Sequence, residues 1–549
     1  MFFRIGHGEE RCLSTTGPWR PPVPVTGAAA RARARVGTLA AACTAVFVAQ
    51  LANAMPVSLN GVFQQSLHTQ GSELIWITAA FQVTVVVFEF TFGVLGDLFG
   101  RRRLVAVGAV VLAVGAVVCA LAPNVQALWV GAAINGLGAG AMYPGTLALI
   151  AAVSHTPENR ARSIALWSGF LAGAAVVAPT VGGFFAKAGD WHTPFWVLAG
   201  LAVIAAVVTK LLSEESAAPE GRGLDIPGQV TFAVGLLLVM FAAIQGSAAG
   251  WSKPYVVWSF IIGGVLLVAF MAVEARAKTP ILELSLFRNR AFAVTSLVTV
   301  LGMFGFLSAG FSTSIWIGAV QRQDPMKVAL AFLFLQGPPF FLIPVVSRAL
   351  RSVNPRIMLA GGFTLMGVGS LLCLRLVARD PSIANFILPD VLIGIGFALS
   401  VASFTAVAIN TVPLHLTGMA SATTNMLRDL GFALGPVIAG AVAVSAAADK
   451  LLAGLGPIAA HMPAAQAGQL MGLAHGGGPL AVASALPQGT PPQLAAVDAL
   501  GSGFHLAWLV AGIACLVAAV ITVIGLHGIK HAEEPTPESL VDPLHPELA

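Results

Sequence analysis

The chain has 549 residues, 57% hydrophobic and only 10% charged, with 29 Lys and Arg against 24 Asp and Glu. A soluble domain carries roughly a quarter charged residues, so this composition excludes a water-soluble fold, a secreted disulfide scaffold, a basic nucleic-acid-binding domain and a disordered chain. The charges sit in short clusters between long uncharged runs, the pattern of a polytopic membrane protein, and the net charge of +5 then reports orientation in a lipid bilayer and implies no nucleic-acid partner.

Residues 1–35 form a polar tail whose Arg31, Arg33 and Arg35 precede an apolar run longer than a signal-peptide core, as expected of a cytoplasmic anchor flank. With about 20 residues per crossing, apolar segments at 36–59, 74–95, 104–122, 126–151, 163–186 and 194–212 give a first group of six within 36–213. A polar stretch with Glu214, Glu215, Glu220, Arg222 and Asp225 opens a linker, 214–290, that carries two further spanners at 227–246 and 255–273. Segments at 291–318, 328–347, 357–377, 384–411, 419–445 and 503–527 form a second group of six within 291–529, followed by a cytoplasmic tail at 530–549. The expected fold class is an all-α membrane protein with fourteen transmembrane helices.

An even number of crossings puts both termini on one side. Lys and Arg favour the loops and tails of that side by about three to one, so both ends are expected in the cytoplasm. Trp76, Trp129, Trp191, Trp196, Trp251, Trp258, Trp316 and Trp508 then fall near outer helix ends, where interfacial belts place them. The excess of Arg over Lys hints at a GC-rich bacterial genome, hence a bacterial inner membrane. Residues 446–502 form a long Ala/Gly/Pro-rich outer connection; 464–473 has the makings of a short helix, and a variable surface insertion is the simpler reading.

Cys12, Cys43, Cys119, Cys373 and Cys515 stand singly and read as small buried hydrophobes. No P-loop, zincin or zinc-ligand spacing occurs, so nothing calls for a cofactor or metal, and a pump carrying its own nucleotide-binding fold is excluded. A channel would need a charge ring and a membrane enzyme a reactive constellation, and neither is visible.

The sharpest motif is GVLGDLFGRRR at 93–103. Gly93, Gly96 and Gly100 permit close helix approach and a tight turn, while Asp97 can pair with Arg101 four residues on or with a helix terminus of the other half; Arg102 adds to the cluster. This loop resembles the motif between the second and third helices of the major facilitator superfamily, and fourteen spanners make the chain similar to its fourteen-helix drug/proton antiporter family over nearly all of 36–530. Further support comes from WITAAF at Trp76, ALWSG at Trp167 and the run from Gly418 to Gly435. Gly169, Gly173, Pro179, Gly182 and Gly183 in the fifth spanner resemble the antiporter motif, with Ala178 where a glycine is usual. Gly431, Gly435, Pro436 and Gly440 echo that spacing in the thirteenth spanner. The resemblance implies a major facilitator fold of two six-helix bundles with a shared cavity, two accessory helices between them, a small-molecule substrate, and protons as coupling ion.

Two positions depart from the family. The acid of the first spanner falls on Ala52, beside Asn53, and the arginine of the fourth falls on Ala132, three residues before Asn135. A proton-driven exporter needs a group that changes charge. Glu89 is the candidate, about 12 Å above Asp97 at 1.5 Å per residue and on one face with Gln82, Gly93 and Gly96. Arg428 lies at a similar depth, so a Glu89 to Arg428 pair across the seam is expected, either as a coupling device or as a static structural pair. Asp390 is a further coupling candidate, but it lies nearer the outer surface, where a simple pair with Arg375 is the expectation. Gln50, Asn53, Asn135, Tyr143, Ser308, Ser312 and Gln336 are candidate cavity residues, although single polar groups in spanners more often bond a neighbouring helix. Gln336 precedes Gly337, Pro338 and Pro339, which are expected to break the helix near mid-membrane. With 32 Phe, the cavity suits lipophilic or cationic aromatic compounds. The sequence supports an alternating-access exporter; a facilitator or metabolite exporter with altered coupling, or a non-transporting relative, stays open. It specifies no outer-envelope partner protein.

Overall fold

The computed structural model describes residues 26–528 apart from 70–71, 155–156, 188–189, 218–222, 278, 281 and 413–416. Cys12 and both outer tails lie outside the described residues. Helix α1 (Thr26–Ala54) passes through a 3-10 turn (Met55–Leu59) into the short α2 (Asn60–Ser66); α3 (Glu73–Phe99), α4 (Arg101–Ala120), α5 (Val125–Val153), α6 (Pro157–Lys187) and α7 (Thr193–Leu212) complete the first group. The linker holds α8 (Ile226–Ala249) and α9 (Pro254–Glu274). Then come α10 (Arg290–Ile315), which ends in a π turn (Trp316–Val320), α11 (Pro325–Ser352), α12 (Pro355–Leu372), α13 (Ala384–Asn410), α14 (Thr417–Ala460), α15 (Ala464–Ala485) and α16 (Pro491–Gly525). No strand occurs among the described residues.

Among the described residues, fourteen segments are long and apolar enough to cross a membrane, as the hydropathy reading expects. Many helices start where a side chain satisfies the first free amides. The Asn124 carboxamide accepts from Ala127 N (2.9 Å), Asp225 from Gly228 N (2.9 Å), Asp324 from Met326 N (2.8 Å) and Asn354 from Arg356 N (2.9 Å). Many large apolar side chains are left exposed along the helices, such as Val107, Val110 and Val114 on α4 and Val265 and Val268 on α9, a lipid-facing pattern.

The two halves repeat. In the first, α4 packs on α5 and α7, α3 on α5, and α1 on α6 and α7; in the second, α12 packs on α13 and α16, α11 on α13, and α10 on α14 and α16. Under this correspondence α3 matches α11 and α6 matches α14. The main contacts between halves, α3 with α14 and α6 with α11, are therefore equivalent to each other. Helix α8 packs on α9, α3 and α14, so the linker pair covers one seam.

The seam is closed at the end of the bundle that carries α2. Gly61 packs directly on the Gly318 carbonyl, Asn60 Nδ2 donates to Ser314 Oγ (2.9 Å), and a side chain at Gly183 would lie 2.9 Å from the Pro325 carbonyl oxygen. Gly440 on α14 likewise abuts Ile75 on α3. Toward the Asp97 end the packing loosens: Gly93 and Gly169 face open space.

Several expectations need correction. The 446–502 connection is mostly helical: α14 runs 44 residues, α16 begins at Pro491, and α15 spans Ala464–Ala485 with a bend at Gly478 (φ 70°). Alanine, the best helix former, outweighs the glycines there. At 1.5 Å per residue α14 is about 66 Å long, twice the hydrocarbon thickness, so it projects far beyond one face and α15 rests on it and on α16. Trp191, Trp316 and Trp508 are buried in the protein rather than facing an interface. Finally, α11 continues through Pro338, Pro339 and Pro344. Pro339 has no amide hydrogen for the Leu335 carbonyl, and Gly394 of α13 packs against that freed carbonyl, so a neighbouring helix accommodates the defect and no break occurs.

Candidate functional site

A polar cluster lies where α3 meets α14, surrounded by otherwise apolar helix faces. On α14, Arg428 forms a two-pronged pair with Asp429, Nε to Oδ1 at 2.8 Å and Nη2 to Oδ2 at 2.9 Å, and donates from Nη1 to Asn425 Oδ1 at 3.2 Å. From the other half, the buried Glu89 lies within electrostatic range of Asp429 and of Arg428. The expected direct Glu89 to Arg428 ion pair does not form; Asp429, a carboxylate one residue away that presents both oxygens, takes the guanidinium fork. Glu89 Oε2 is buried without a partner.

The cluster continues into the first half. Tyr143 on α5 donates to Gln50 Oε1 on α1 (3.0 Å) and lies within electrostatic range of Asp429, Arg428 and Glu89. Gln82 Nε2 on α3 donates to Asn53 Oδ1 (3.3 Å). Gln50, Asn53 and Tyr143, named from the sequence as cavity candidates, therefore lie near Glu89 and Arg428, named as coupling candidates.

Ala52 and Ala132, the positions where the family's acid and arginine are missing, line one small cavity of about 20 Å³ with Asn53, Asn135, Thr78 and Phe81. The two departures expected from the sequence therefore border one void with room for about one water. Asn135 donates weakly to Cys119 Sγ (3.7 Å) and leaves Oδ1 buried without a partner.

Other candidates stand apart. Ser308 donates to the Gly435 carbonyl (3.1 Å), an α10 to α14 helix contact, and Ser312 Oγ is buried without a partner. Gln336 is half-buried on α11. Asp390 is fully buried in the second bundle with neither oxygen hydrogen-bonded, so the expected pair with Arg375, which is exposed, does not form. In the antiporter stretch, Gly173 faces the Phe340 ring, Pro179 lies inside unbroken α6, Gly182 abuts Ser58 and Met55, and Gly183 abuts Pro325. Its glycines let α6 contact both the 3-10 turn after α1 and the start of α11.

The 93–103 loop finds several partners within its own half. Arg101 pairs with Asp97, Nη2 to Oδ1 at 2.8 Å, and donates to the Ala148 carbonyl at 3.5 Å. Gly100, at φ 107°, turns the chain sharply, and Glu215 lies where a side chain there would project. Glu215 accepts from the Arg102 amide (3.0 Å) and approaches Arg102 Nε at 3.5 Å and Arg103 Nε at 3.6 Å; Arg101 N donates to the Ser216 carbonyl (2.9 Å). The exit of α7 thus clasps the loop.

Sequence reasoning missed two residues. Asp429 was visible as the acid in an Arg-Asp doublet inside an apolar run. Glu215 carried no signal beyond a polar linker, since only folding brings α7's exit to the loop.

Two pseudo-repeated six-helix bundles, meeting at two equivalent seams with an ionisable cluster at one of them, are the architecture of a membrane transporter. The chain belongs to the Major Facilitator Superfamily, matching it over residues 42–436. It is similar to multidrug resistance protein Stp of Mycobacterium tuberculosis, 27% identical over 382 residues that cover 69% of this chain and 70% of that one. It is also similar to the tetracenomycin C resistance and export protein of Streptomyces glaucescens, 26% identical over 501 residues (88% and 90%), and to puromycin resistance protein pur8 of Streptomyces alboniger, 27% identical over 391 residues (71% and 78%). Among solved structures, peptide transporter POT in complex with sulfate aligns with TM-score 0.59 at 16% identity over 89% of this chain and 94% of that one. A bacterial homolog of the human lysosomal transporter Spinster, inward-facing and unoccupied, aligns at 0.58 with 13% identity over 89% and 96%. These likenesses concern the fold.

Proposed function

We propose that this protein is a secondary exporter of lipophilic or cationic drugs or metabolites, working by alternating access, with protons carried on the Glu89 and Asp429 carboxyl pair. The observation that carries the reading is the position of that pair: its two acids sit on opposite halves, at the seam that must part when the bundles rock. Parting would take Glu89 away from Asp429 and Arg428, and each carboxyl would then hold or lose a proton according to the side it faces. The shared void at Ala52 and Ala132 favours coupling by this pair over the arrangement usual in the family. Both termini are cytoplasmic in this reading, the α2 end is the outer face, and the closed α2 end with the looser Asp97 end is the inward-facing state. The Asp97 loop acts as a hinge clasp, held by Arg101 and Glu215. Relatives named for multidrug, puromycin and tetracenomycin C resistance support the export of such compounds.

The test is uptake of a fluorescent lipophilic cation into inverted vesicles, with and without a proton gradient. Wild type should accumulate the dye only with the gradient, whereas Glu89→Gln and Asp429→Asn should lose gradient dependence yet retain exchange of dye across the membrane. Equal gradient-driven uptake in all three proteins would remove the pair from coupling, and no flux in wild type with any cation would point to a non-transporting relative.

A further inference from the structure

At the α2 end, away from the carboxyl pair, a polar pocket of about 590 Å³ opens between the two halves and α15, lined by Gln64, Gln65, His68, Arg322, Ser484 and Gln488. Three separate pieces of chain meet there. From the first half, Gln64 Nε2 donates to the Thr69 carbonyl (2.8 Å) and to Ser484 Oγ on α15 (3.2 Å); from the second, Arg322 Nη2 donates to the Ala483 and Leu486 carbonyls (3.3 Å for the latter).

Arg322 is the unusual member. A guanidinium has five N–H donors. Its Nη2 serves the two carbonyls, whereas Nε is buried without a partner and Nη1 makes no hydrogen bond among the described residues. No carboxylate lines the pocket, and the acid nearest in sequence, Asp324, is engaged in capping α11. A further observation marks the same place. His68 and Arg322 are the two non-glycine residues with positive φ among the described residues, both at 50°, and both line this pocket. Backbone held in that sparsely populated region persists where surrounding structure demands it, and such positions gather at ligand sites.

We propose that this pocket is an oxyanion site, taking a phosphate or carboxylate group on the free donors of Arg322. The amides of Gln65 and Gln488, which line the same pocket, add donors that neutral or cationic ligands would not need. A bound oxyanion touches both halves and α15 at once, and so favours the state in which the α2 end is closed. Its source is either a soluble anion or the headgroup of an anionic lipid.

The experiment uses the full-length protein and needs no transport readout, so its outcome is independent of the export reading. In detergent, thermal unfolding is followed against sodium phosphate and against sodium chloride at matched ionic strength. In nanodiscs without phosphate, phosphatidylglycerol is compared with phosphatidylcholine. Saturable stabilisation by phosphate assigns a soluble anion, and stabilisation by phosphatidylglycerol alone assigns a headgroup. In either arm, Arg322→Gln should weaken the apparent affinity at least tenfold. Gln488→Glu, which leaves Arg322 and its bonds to α15 in place while setting a carboxylate beside the free donors, should silence the response. The proposal is overturned if neither arm stabilises wild type, or if the response persists in both variants.

Discussion

Gly61 offers the most direct perturbation of the closed seam. Its α-carbon packs so tightly on the Gly318 carbonyl that a first side-chain carbon would overlap that oxygen, and in the reverse direction a carbon at Gly318 would lie 3.1 Å from Gly61 N and 3.3 Å from its Cα. The obstacle is backbone on both sides, so no rotamer change relieves Gly61→Val. Overpacking of this kind costs about 1–3 kcal/mol, and here it falls on one conformational state because the two glycines belong to opposite halves. The balance between closed and open α2 ends should then shift by roughly 5- to 150-fold at 1.4 kcal/mol per tenfold. The reporter is Ser314→Cys, a fully buried position that bonds Asn60 across the seam, in a background without native cysteines. Modification by a membrane-impermeant maleimide should speed up with the population shift, while a Gly93→Cys reporter at the Asp97 end should slow. Unchanged rates at both reporters in a folded Gly61→Val protein would refute the idea that this contact is one of two alternating closures.

Removing Asp429 leaves Arg428 buried with its principal partner gone, so Asp429→Ala should lower unfolding stability by about 3–5 kcal/mol, and Asp429→Ala with Arg428→Leu should recover most of it; a double variant no more stable than the single would show that the pair is not the source. Ala52→Asp and Ala132→Arg enter one cavity, so a double-mutant cycle should give a favourable coupling of about 0.5–3 kcal/mol, and additive thermal shifts would separate the two positions. Gly100→Ala meets both an unfavourable φ and the Glu215 carboxylate, with an expected loss of about 1–3 kcal/mol in the local turn; faster proteolysis between residues 99 and 104 should report it, and an unchanged cleavage rate would count against the clasp. Glu215→Ala, by contrast, should change global stability by less than about 1 kcal/mol because its ion pairs are solvent-exposed; a larger drop in unfolding midpoint would show the clasp to be part of the core.

Hydropathy alone determined the fourteen spanners and their division into six, two and six, because hydrocarbon forces every backbone polar group into a helix and leaves a length signal that needs no partner to read. The Gly-x-x-x-Asp turn and the glycines of α6 were legible for the same local reason: close approach demands a missing side chain wherever it occurs. Tertiary structure decided what distant charges meet. Nothing in the order of residues says that Glu89 faces Asp429, that Ala52 and Ala132 share one void, or that Glu215 returns to Gly100, since each junction joins helices from remote parts of the chain. The outer connection was misjudged because its alanine content acts only once α14 and α16 offer a surface for α15 to rest on. Pro339 was misjudged because the glycine that accommodates its freed carbonyl lies 55 residues away in α13, at Gly394.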